Sequence, residues 1–443
     1  MQPFLSGVVE GFYGRPWTTT QRKRLFDWLV DAGLNTYFYA PKDDVHHRAI
    51  WREPYSESDL ASLKSLVGTC EAQGLRFIYG LGPGLDLSYS DSEDRACLKT
   101  RFSQLLEIGV SGFGLLFDDI PDAMKAEDQC AFASFAAAQA HLTNDLLAWF
   151  KVQVSEPLLL FCPTPYCGRM DSACLGGAGY LDELGKLLDP AIPIFWTGPE
   201  IISFEISDSH SETIADRLRR SPLIWDNLQA NDYDLRRLFL GPYGRRPNEP
   251  QQALSGILLN PNCEFEANFV PIHTLGAYLR PDRPTREVAY EQALAAWLPA
   301  FEGSGEPWDQ SDLRLLADIF FLPDEHGRQA TALLDTIALI FSLSPDQWGQ
   351  GYEKFQTIRS RVESIAVKLT ELKNRDLFYT FNRQWWDLRE ELQLLDQYFA
   401  WKITGTDDAF TPPDHLPHTF RGGMLAAVQG FLRMKDDGTV DAS

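Results

Sequence analysis

No apolar run in this chain approaches the roughly 18 residues that a membrane-spanning helix needs. Basic residues are also scarce: 40 Lys and Arg stand against 62 Asp and Glu in 443 residues, a formal net charge of −22. That balance argues against a nucleic-acid partner and against an anionic membrane surface. It names no positive partner, since an acidic surface commonly serves solubility. The first residues, Met-Gln-Pro-Phe-Leu-Ser-Gly, carry neither a basic region nor an apolar core, so no secretory signal is expected. The seven cysteines are odd in number and scattered, which favours reduced thiols and a cytoplasmic location over a disulfide framework. Cys162 and Cys167 have no second pair, and no HExxH motif is present, so packed thiols are a better reading than a metal knuckle. Nor is there a GxGxxG fingerprint for a dinucleotide.

What is present is hydrophobic mass, 44% of residues with 12% aromatic, enough for a large core. Length alone suggests about three domains. Short β-branched or aromatic runs recur at 6–14, 35–42, 76–84, 112–120, 157–166, 192–199, 222–232 and 255–262. Each is apolar, as a strand buried on both faces should be. Several are followed by helical patterns: 18–32 carries Leu25, Trp28 and Leu29 at helical spacing, and 56–73 opens on a capping segment, Ser56-Glu57-Ser58-Asp59. Eight βα units predict a closed (β/α)₈ barrel over residues 1–282. An open doubly wound sheet is the alternative, disfavoured by the regular repeat.

Beyond a Pro- and Arg-rich junction at 281–284 the strand-like runs stop, and 283–434 reads as an all-α helical domain. Helices are expected at 333–343, 351–374, 376–402 and 421–434, with a polar, frayed tail over 435–443. Along 376–402, Phe378, Phe381, Trp385, Leu388, Leu392, Leu395 and Phe399 alternate at spacings of three and four. Such a stripe closes an intrachain bundle or forms a dimer seam. The core reading is preferred, and a homodimer through the helical domain is kept as the second.

Nearly every strand run ends in polar or special residues: Glu10-Gly11, Lys42-Asp43-Asp44, Asp86, Asp118-Asp119, Tyr166, Trp196-Thr197, Asp226-Asn227 and Asn260. In a barrel those ends share one rim, where active sites lie. The adjacent acids Asp118 and Asp119 stand out. A lone Asp there would be read as a helix cap or loop ion pair, but two after a buried strand point to chemistry. Paired carboxylates with separated pKa values suit glycosidic cleavage. A divalent cation is the rival use of two carboxylates. Tryptophans and amides at neighbouring strand ends fit a sugar better, through stacking and hydroxyl recognition.

The segments GVVEGFYGRPW (7–17), YAPKDD (39–44), LLFDDI (115–120), FCPTPYCG (161–168), WTGP (196–199), IWDNLQANDYD (224–234) and NPNCEFEAN (260–268) together resemble the family-84 glycoside hydrolases, and within them the O-GlcNAcases. The resemblance covers the whole expected barrel in order. It implies removal of terminal β-linked N-acetylglucosamine from Ser and Thr of proteins, with retention, by attack of the substrate's own 2-acetamido oxygen through an oxazoline, and with no metal or organic cofactor. It implies that Asp118 orients the acetamide and stabilises charge, and that Asp119 is first general acid, then general base. Mutual repulsion of the pair would help keep one protonated. It further implies that Tyr166 holds the acetamide oxygen and that Trp225 floors the acetamide pocket, with Cys162 and Thr197 as weaker wall residues. Asn227 lies near the acetamide, Asp232 and Asn260 bind the 4- and 6-hydroxyls, and the Gly11 carbonyl and Lys42 bind the 3-hydroxyl.

His46 and His47 are given no role and are expected to be exposed. Two readings stay open beside this one: a hexosaminidase of free oligosaccharides, whose pocket would be the same, and a catalytically silent sugar-binding scaffold, disfavoured by the retention of both acids.

Overall fold

The computed structural model describes residues 3–405, 409–412, 420, 422–435 and 439–442. It divides into two compact units, one comprising Met1–Asp232, Tyr243–Cys263 and Ile272–Pro284, the other Tyr233–Pro242, Glu264–Pro271 and Thr285–Ser443. The division therefore falls beside the Pro-rich junction. Two segments inside the 1–282 expected for the barrel, Tyr233–Pro242 and Glu264–Pro271, cluster with the second unit.

The first unit is built on eight parallel strands: β1 (Leu5–Glu10), β2 (Thr36–Tyr39), β3 (Arg76–Leu81), β4 (Gly112–Leu116), β5 (Leu158–Cys162), β6 (Phe195–Trp196), β7 (Leu223–Asp226) and β8 (Gly256–Leu259). Their order is β5-β4-β3-β2-β1-β8-β7-β6. A parallel bridge between Phe161 and Ile194 joins the two ends, with the Phe161 N–H donating to the Pro193 carbonyl at 3.0 Å. The sheet is thus closed, as the repeat predicted. Seven strands are buried along their whole length, and β3 everywhere but Arg76. Covering helices explain why these strands read as apolar runs rather than alternating ones.

Side chains, not a pore, fill the barrel. Val9, Phe38, Ile78, Leu116, Leu160, Phe195, Leu223, Trp225 and Leu258 belong to one buried cluster. Phe38 fits because β3 and β4 carry glycines beneath it; a Cβ on Gly114 would lie 2.5 Å from its ring and one on Gly80 3.0 Å. The first two α-helices begin at side-chain caps, the second of them at the capping segment expected from Ser56. Thr18 forms a capping box with Gln21 at the head of Thr19–Asp31, and the Ser56 hydroxyl accepts from the Asp59 N–H ahead of Glu57–Ala72.

The second unit packs helices Arg286–Trp297, Gln310–Ile319, Arg328–Ser342, Gly349–Thr370 and Arg375–Thr404. In the long helix Arg375–Thr404, Phe381, Trp385, Leu388, Leu392, Leu395 and Phe399 are all buried within the single chain. Phe399 lies 5.2–5.3 Å from the rings of Phe341, Trp348 and Phe355. The stripe is intrachain core, and only Phe378 is half-exposed.

The end of the chain departs from the all-helical expectation. Among the described residues there, helix runs over Gly423–Gln429 alone, followed by β9 (Leu432–Met434), which pairs antiparallel with β10 (Val440–Ala442). The segment read as a frayed tail therefore supplies a strand. Three residues are too few to show the alternation that marks a strand in sequence.

Candidate active site

Parallel closure brings the C-terminal ends of all eight strands to one rim. Gly11 follows β1 directly, Lys42 lies three residues past β2, and Asp118 and Asp119 lie two and three past β4. Tyr166 lies four past β5, Thr197 follows β6, Trp225 ends within β7, Asn227 follows it, Asp232 lies further along the same loop, and Asn260 follows β8.

Adjacent side chains on an extended strand point to opposite faces. The strand ends before the two acids, and Asp119 takes a left-handed backbone with φ of 49°. For a residue other than glycine that conformation costs of order 1–3 kcal/mol and collects at functional sites. The turn takes the second carboxyl off the alternation of an extended strand.

The partners differ. Lys42 Nζ donates to Asp118 Oδ2 at 2.6 Å, and Arg48 Nη1 lies 3.8 Å from the same oxygen. Burial raises the Asp118 pKa, but these two cations outweigh it and hold the carboxyl below the usual carboxylate value. Asp118 is therefore ionised at neutral pH. Its other oxygen, Oδ1, is buried with no partner. Asp119 accepts two phenolic protons instead, from Tyr166 to Oδ1 at 2.8 Å and from Tyr13 to Oδ2 at 2.9 Å. Burial, then the charge of Asp119, raises the pKa of both tyrosines, so both remain hydroxyl donors.

Trp225 is buried at the base, edge-on to Phe38 and Phe195. Gly11 packs against it so closely that a Cβ would sit 2.4 Å from its ring. Lys42 Nζ lies 5.9 Å above the same ring, and its side chain is only 3% exposed, unlike the solvated lysine a bland reading would expect. Cys162 joins Trp225 and Tyr166 in the buried cluster, and burial pushes its thiol up, so it packs as a neutral group.

The remaining candidates form a second set. Asn260 Nδ2 donates to Asn227 Oδ1 at 2.9 Å, Asn227 Nδ2 donates to the Ile201 carbonyl at 2.7 Å, and Asn260 Oδ1 is buried without a partner. Asp232 is linked to the acids through Tyr13, whose N–H donates to Asp232 Oδ2 at 2.9 Å. Thr197 is committed elsewhere. Its hydroxyl donates to the Glu200 carbonyl at 2.8 Å and its N–H to the Tyr166 carbonyl at 2.9 Å, so it supports the Tyr166 loop.

The strand-end acids Glu10 and Asp226 are structural. Glu10 is buried and accepts from Tyr37, Arg22 and the Trp17 N–H, fixing the loop that carries Gly11 and Tyr13. Asp226 is buried in a two-oxygen pair with Arg246 at 2.6 and 2.7 Å, with Tyr243 donating at 2.6 Å.

One expectation is corrected. His47 is not exposed but fully buried, with Nδ1 2.7 Å from the Gly80 carbonyl. Burial, then Lys42, pushes its pKa down to about 4. His46 is half-buried rather than exposed, its ring tilted 44° and 4.6 Å from that of Tyr55. Two residues of the site, Tyr13 and Arg48, escaped the sequence reading. Tyr13 lies inside the quoted GFYGRPW and Arg48 four residues past YAPKDD, but their contacts span 106 and 70 or more residues of chain. Among the described residues, no group of three or more His, Cys, Asp or Glu is placed to hold a metal ion.

A closed parallel barrel carries paired, differently partnered acids and a buried indole at its rim, the arrangement that the motifs suggested. Residues 6–317 match the family described as beta-N-acetylglucosaminidase, and the chain belongs to that family. Protein O-GlcNAcases of Rattus norvegicus and Mus musculus are each 46% identical over 278 residues, covering 62% of this chain. That stretch spans only 30% of each relative's own length. A variant of the Thermobaculum terrenum O-GlcNAc hydrolase is structurally similar, with a TM-score of 0.76 at 29% identity, covering 90% of this chain and 83% of that one.

Proposed function

We propose that this protein is a retaining glycoside hydrolase that removes terminal β-linked N-acetylglucosamine, from Ser and Thr of modified proteins, by substrate-assisted catalysis. The observation that carries the reading is the unequal pair. Asp118 is ionised between Lys42 and Arg48 and has a buried, unpartnered oxygen, while neighbouring Asp119 is held by two phenols. A buried lone pair without a donor calls for one. The N–H of an acetamide resting on Trp225 supplies it.

Asp119, as the acid, gives its proton to the glycosidic oxygen while the acetamide oxygen attacks C1. The C1–O bond breaks, the ring closes to an oxazoline in its N-protonated form, and Asp118 accepts a hydrogen bond from that N–H and stabilises the positive charge that develops at the nitrogen. Asp119, now a carboxylate, takes a proton from water as that water attacks C1 and opens the oxazoline, so two inversions give retention. Tyr166 keeps its proton and turns its hydrogen bond from Asp119 to the acetamide oxygen. Gly11 and Lys42 serve the 3-hydroxyl, Asn227 lies near the acetamide, and Asp232 and Asn260 serve the 4- and 6-hydroxyls; the free Asn260 Oδ1 is an acceptor for one of them.

Seven free thiols support a cytoplasmic setting. Among the described residues no helix is long and apolar enough to cross a membrane. A homodimer through the helical unit would use the outer face of Arg375–Thr404, where Tyr379, Trp386 and Ile403 are exposed.

The test is hydrolysis of matched aryl N-acetylglucosaminides and aryl glucosides. Cleavage of the N-acetyl substrate alone is expected, with tight binding of a thiazoline that mimics the oxazoline. Equal rates on both would remove substrate assistance, and no turnover would leave a sugar-binding scaffold. Comparison of a GlcNAc-modified protein with chitobiose separates the protein substrate from free oligosaccharide: activity confined to chitobiose would sink the former.

A further inference from the structure

The left-handed turn at Asp119 is held by a residue outside the pair. Arg48 is buried, and its Nη2 donates to the Asp119 carbonyl at 2.6 Å and lies 3.4 Å from the Asp118 carbonyl. Its Nη1 lies 3.8 Å from the Asp118 carboxylate. One guanidinium thus meets both main-chain oxygens of the strained turn and the charge of the first acid. A planar fork serves several oxygens at fixed angles, whereas an ammonium is a point charge.

Arg48 is itself delivered by a rigid support. It follows a 3₁₀ turn, Val45–His47, whose Asp44 cap accepts from the His46 N–H at 3.0 Å. Asp44 is gripped in turn by the hydroxyls of Tyr39 and Tyr55, each at 2.8 Å. His47 anchors on Gly80 through its ring, and its carbonyl accepts from the Gly82 N–H at 2.9 Å. The β2 loop is therefore tied to β3 before Arg48 reaches past it to the end of β4.

We propose that Arg48 is a positioning residue, setting the turn and charge of the Asp118–Asp119 pair so that both carboxyls serve one acetamide. The proposal rests on the hydrolase reading above. In this role Arg48 acts through the acids, which it meets at both carbonyls and at the Asp118 carboxylate.

Two effects follow. The guanidinium fixes the direction of both carboxyls, and misplacement by about 1 Å is enough to cost on the order of 100-fold in rate. It also favours the ionised form of Asp118. The groups facing Asp118 are Tyr13 past β1, Lys42, His47 and Arg48 past β2, Asp119 beside it, and Cys162 and Tyr166 of β5 and its loop. Of these, Lys42 and Arg48 carry the positive charge, since His47 is neutral above about pH 4. Removing Arg48 must raise the pH at which Asp118 takes a proton.

The experiment measures kcat and kcat/KM against pH for the unmodified protein, Arg48→Lys and Arg48→Gln, on a nitrophenyl N-acetyl-β-glucosaminide. Rates are taken per active site, counted by thiazoline titration, and the fraction folded is followed by circular dichroism. Both variants are expected to lose kcat by about 100-fold with KM nearly unchanged. Only Arg48→Gln should move the acid limb of kcat/KM upward, because Lys keeps the charge. Should Arg48→Gln fail to fold, Arg48→Lys still tests the geometry. Folded variants with kcat within a few-fold of the unmodified protein, or a loss that only mirrors the unfolded fraction, would overturn the proposal. No turnover by the unmodified protein would instead reject the hydrolase reading, a separate outcome.

Discussion

Asp118 and Asp119 are neighbours in the chain and opposites in environment. Asp118 faces two cations and Asp119 two phenols. Their roles should separate in a leaving-group series. General acid help is worth about 10²–10⁴-fold and matters most when the leaving group is poor. Asp119→Asn should lose most of that range on an alkyl glycoside and far less on an aryl glycoside with an acidic phenol. Asp118→Asn weakens attack by the acetamide, a step every substrate shares, so its loss should be similar across phenols of graded pKa. A steep dependence for Asp118→Asn and a flat one for Asp119→Asn would reverse the assignment. Asp226, at the end of β7 and three strands round the barrel from β4, behaves as a structural acid. Burial opposes its charge, but Arg246 and Tyr243 more than offset that and hold its pKa below the ordinary 3.8. A carboxyl depressed on folding stabilises above its unfolded pKa, and that contribution fades as pH falls through the folded value. Asp226→Asn leaves Arg246 buried and unpaired, so it should cost about 3–5 kcal/mol at neutral pH. The deficit, read by urea unfolding, should shrink below about pH 4 as the parent protein loses its own pair. A deficit that grew on acidification would contradict this.

The elements matter through how closely they meet. The loop after β1 passes over Trp225 of β7 because residue 11 has no side chain. Gly11→Ala would place a methyl 2.4 Å from the indole, and the floor of the pocket must then move. Overpacking of this kind costs about 1–3 kcal/mol. If the barrel absorbs it by shifting the indole, kcat/KM on the N-acetyl substrate should fall roughly tenfold or more, since about 1.4 kcal/mol is a factor of ten, while the thermal midpoint drops only a few degrees. Unchanged kcat/KM would show that the ring is not a contact surface. The long helix Arg375–Thr404 gives the same kind of test. Leu392 is fully buried within the chain, so Leu392→Ala should cost about 2–5 kcal/mol. Sedimentation should not change. A variant that kept its stability but dissociated would make the stripe a seam after all.

At the scale of the whole molecule, the barrel was legible and the helical unit less so. Strands buried on both faces announce themselves by apolar content alone, and eight of them leave few closed solutions. The rim could be read because polar residues at the ends of such runs have no packing reason to recur. Local chemistry also settled the helix starts at Thr18 and Ser56, where a hydroxyl must meet an orphan N–H two or three residues on. Which residues touch was another matter. Nothing local could bring Lys42 to Asp118 across 76 residues, Tyr13 to Asp119 across 106, or bury His47 beneath β3. The left-handed turn at Asp119, the binding of Thr197 into its own loop, and the short β9–β10 pair depend likewise on neighbours folded from elsewhere. By itself the sequence determined the closed barrel, the polar rim and the identity of the two acids, because burial and covalent adjacency are local or periodic. Only the tertiary structure decided which acid faces cations and which faces phenols, because Coulomb interaction and hydrogen bonding depend on distances that strand closure, not sequence separation, sets.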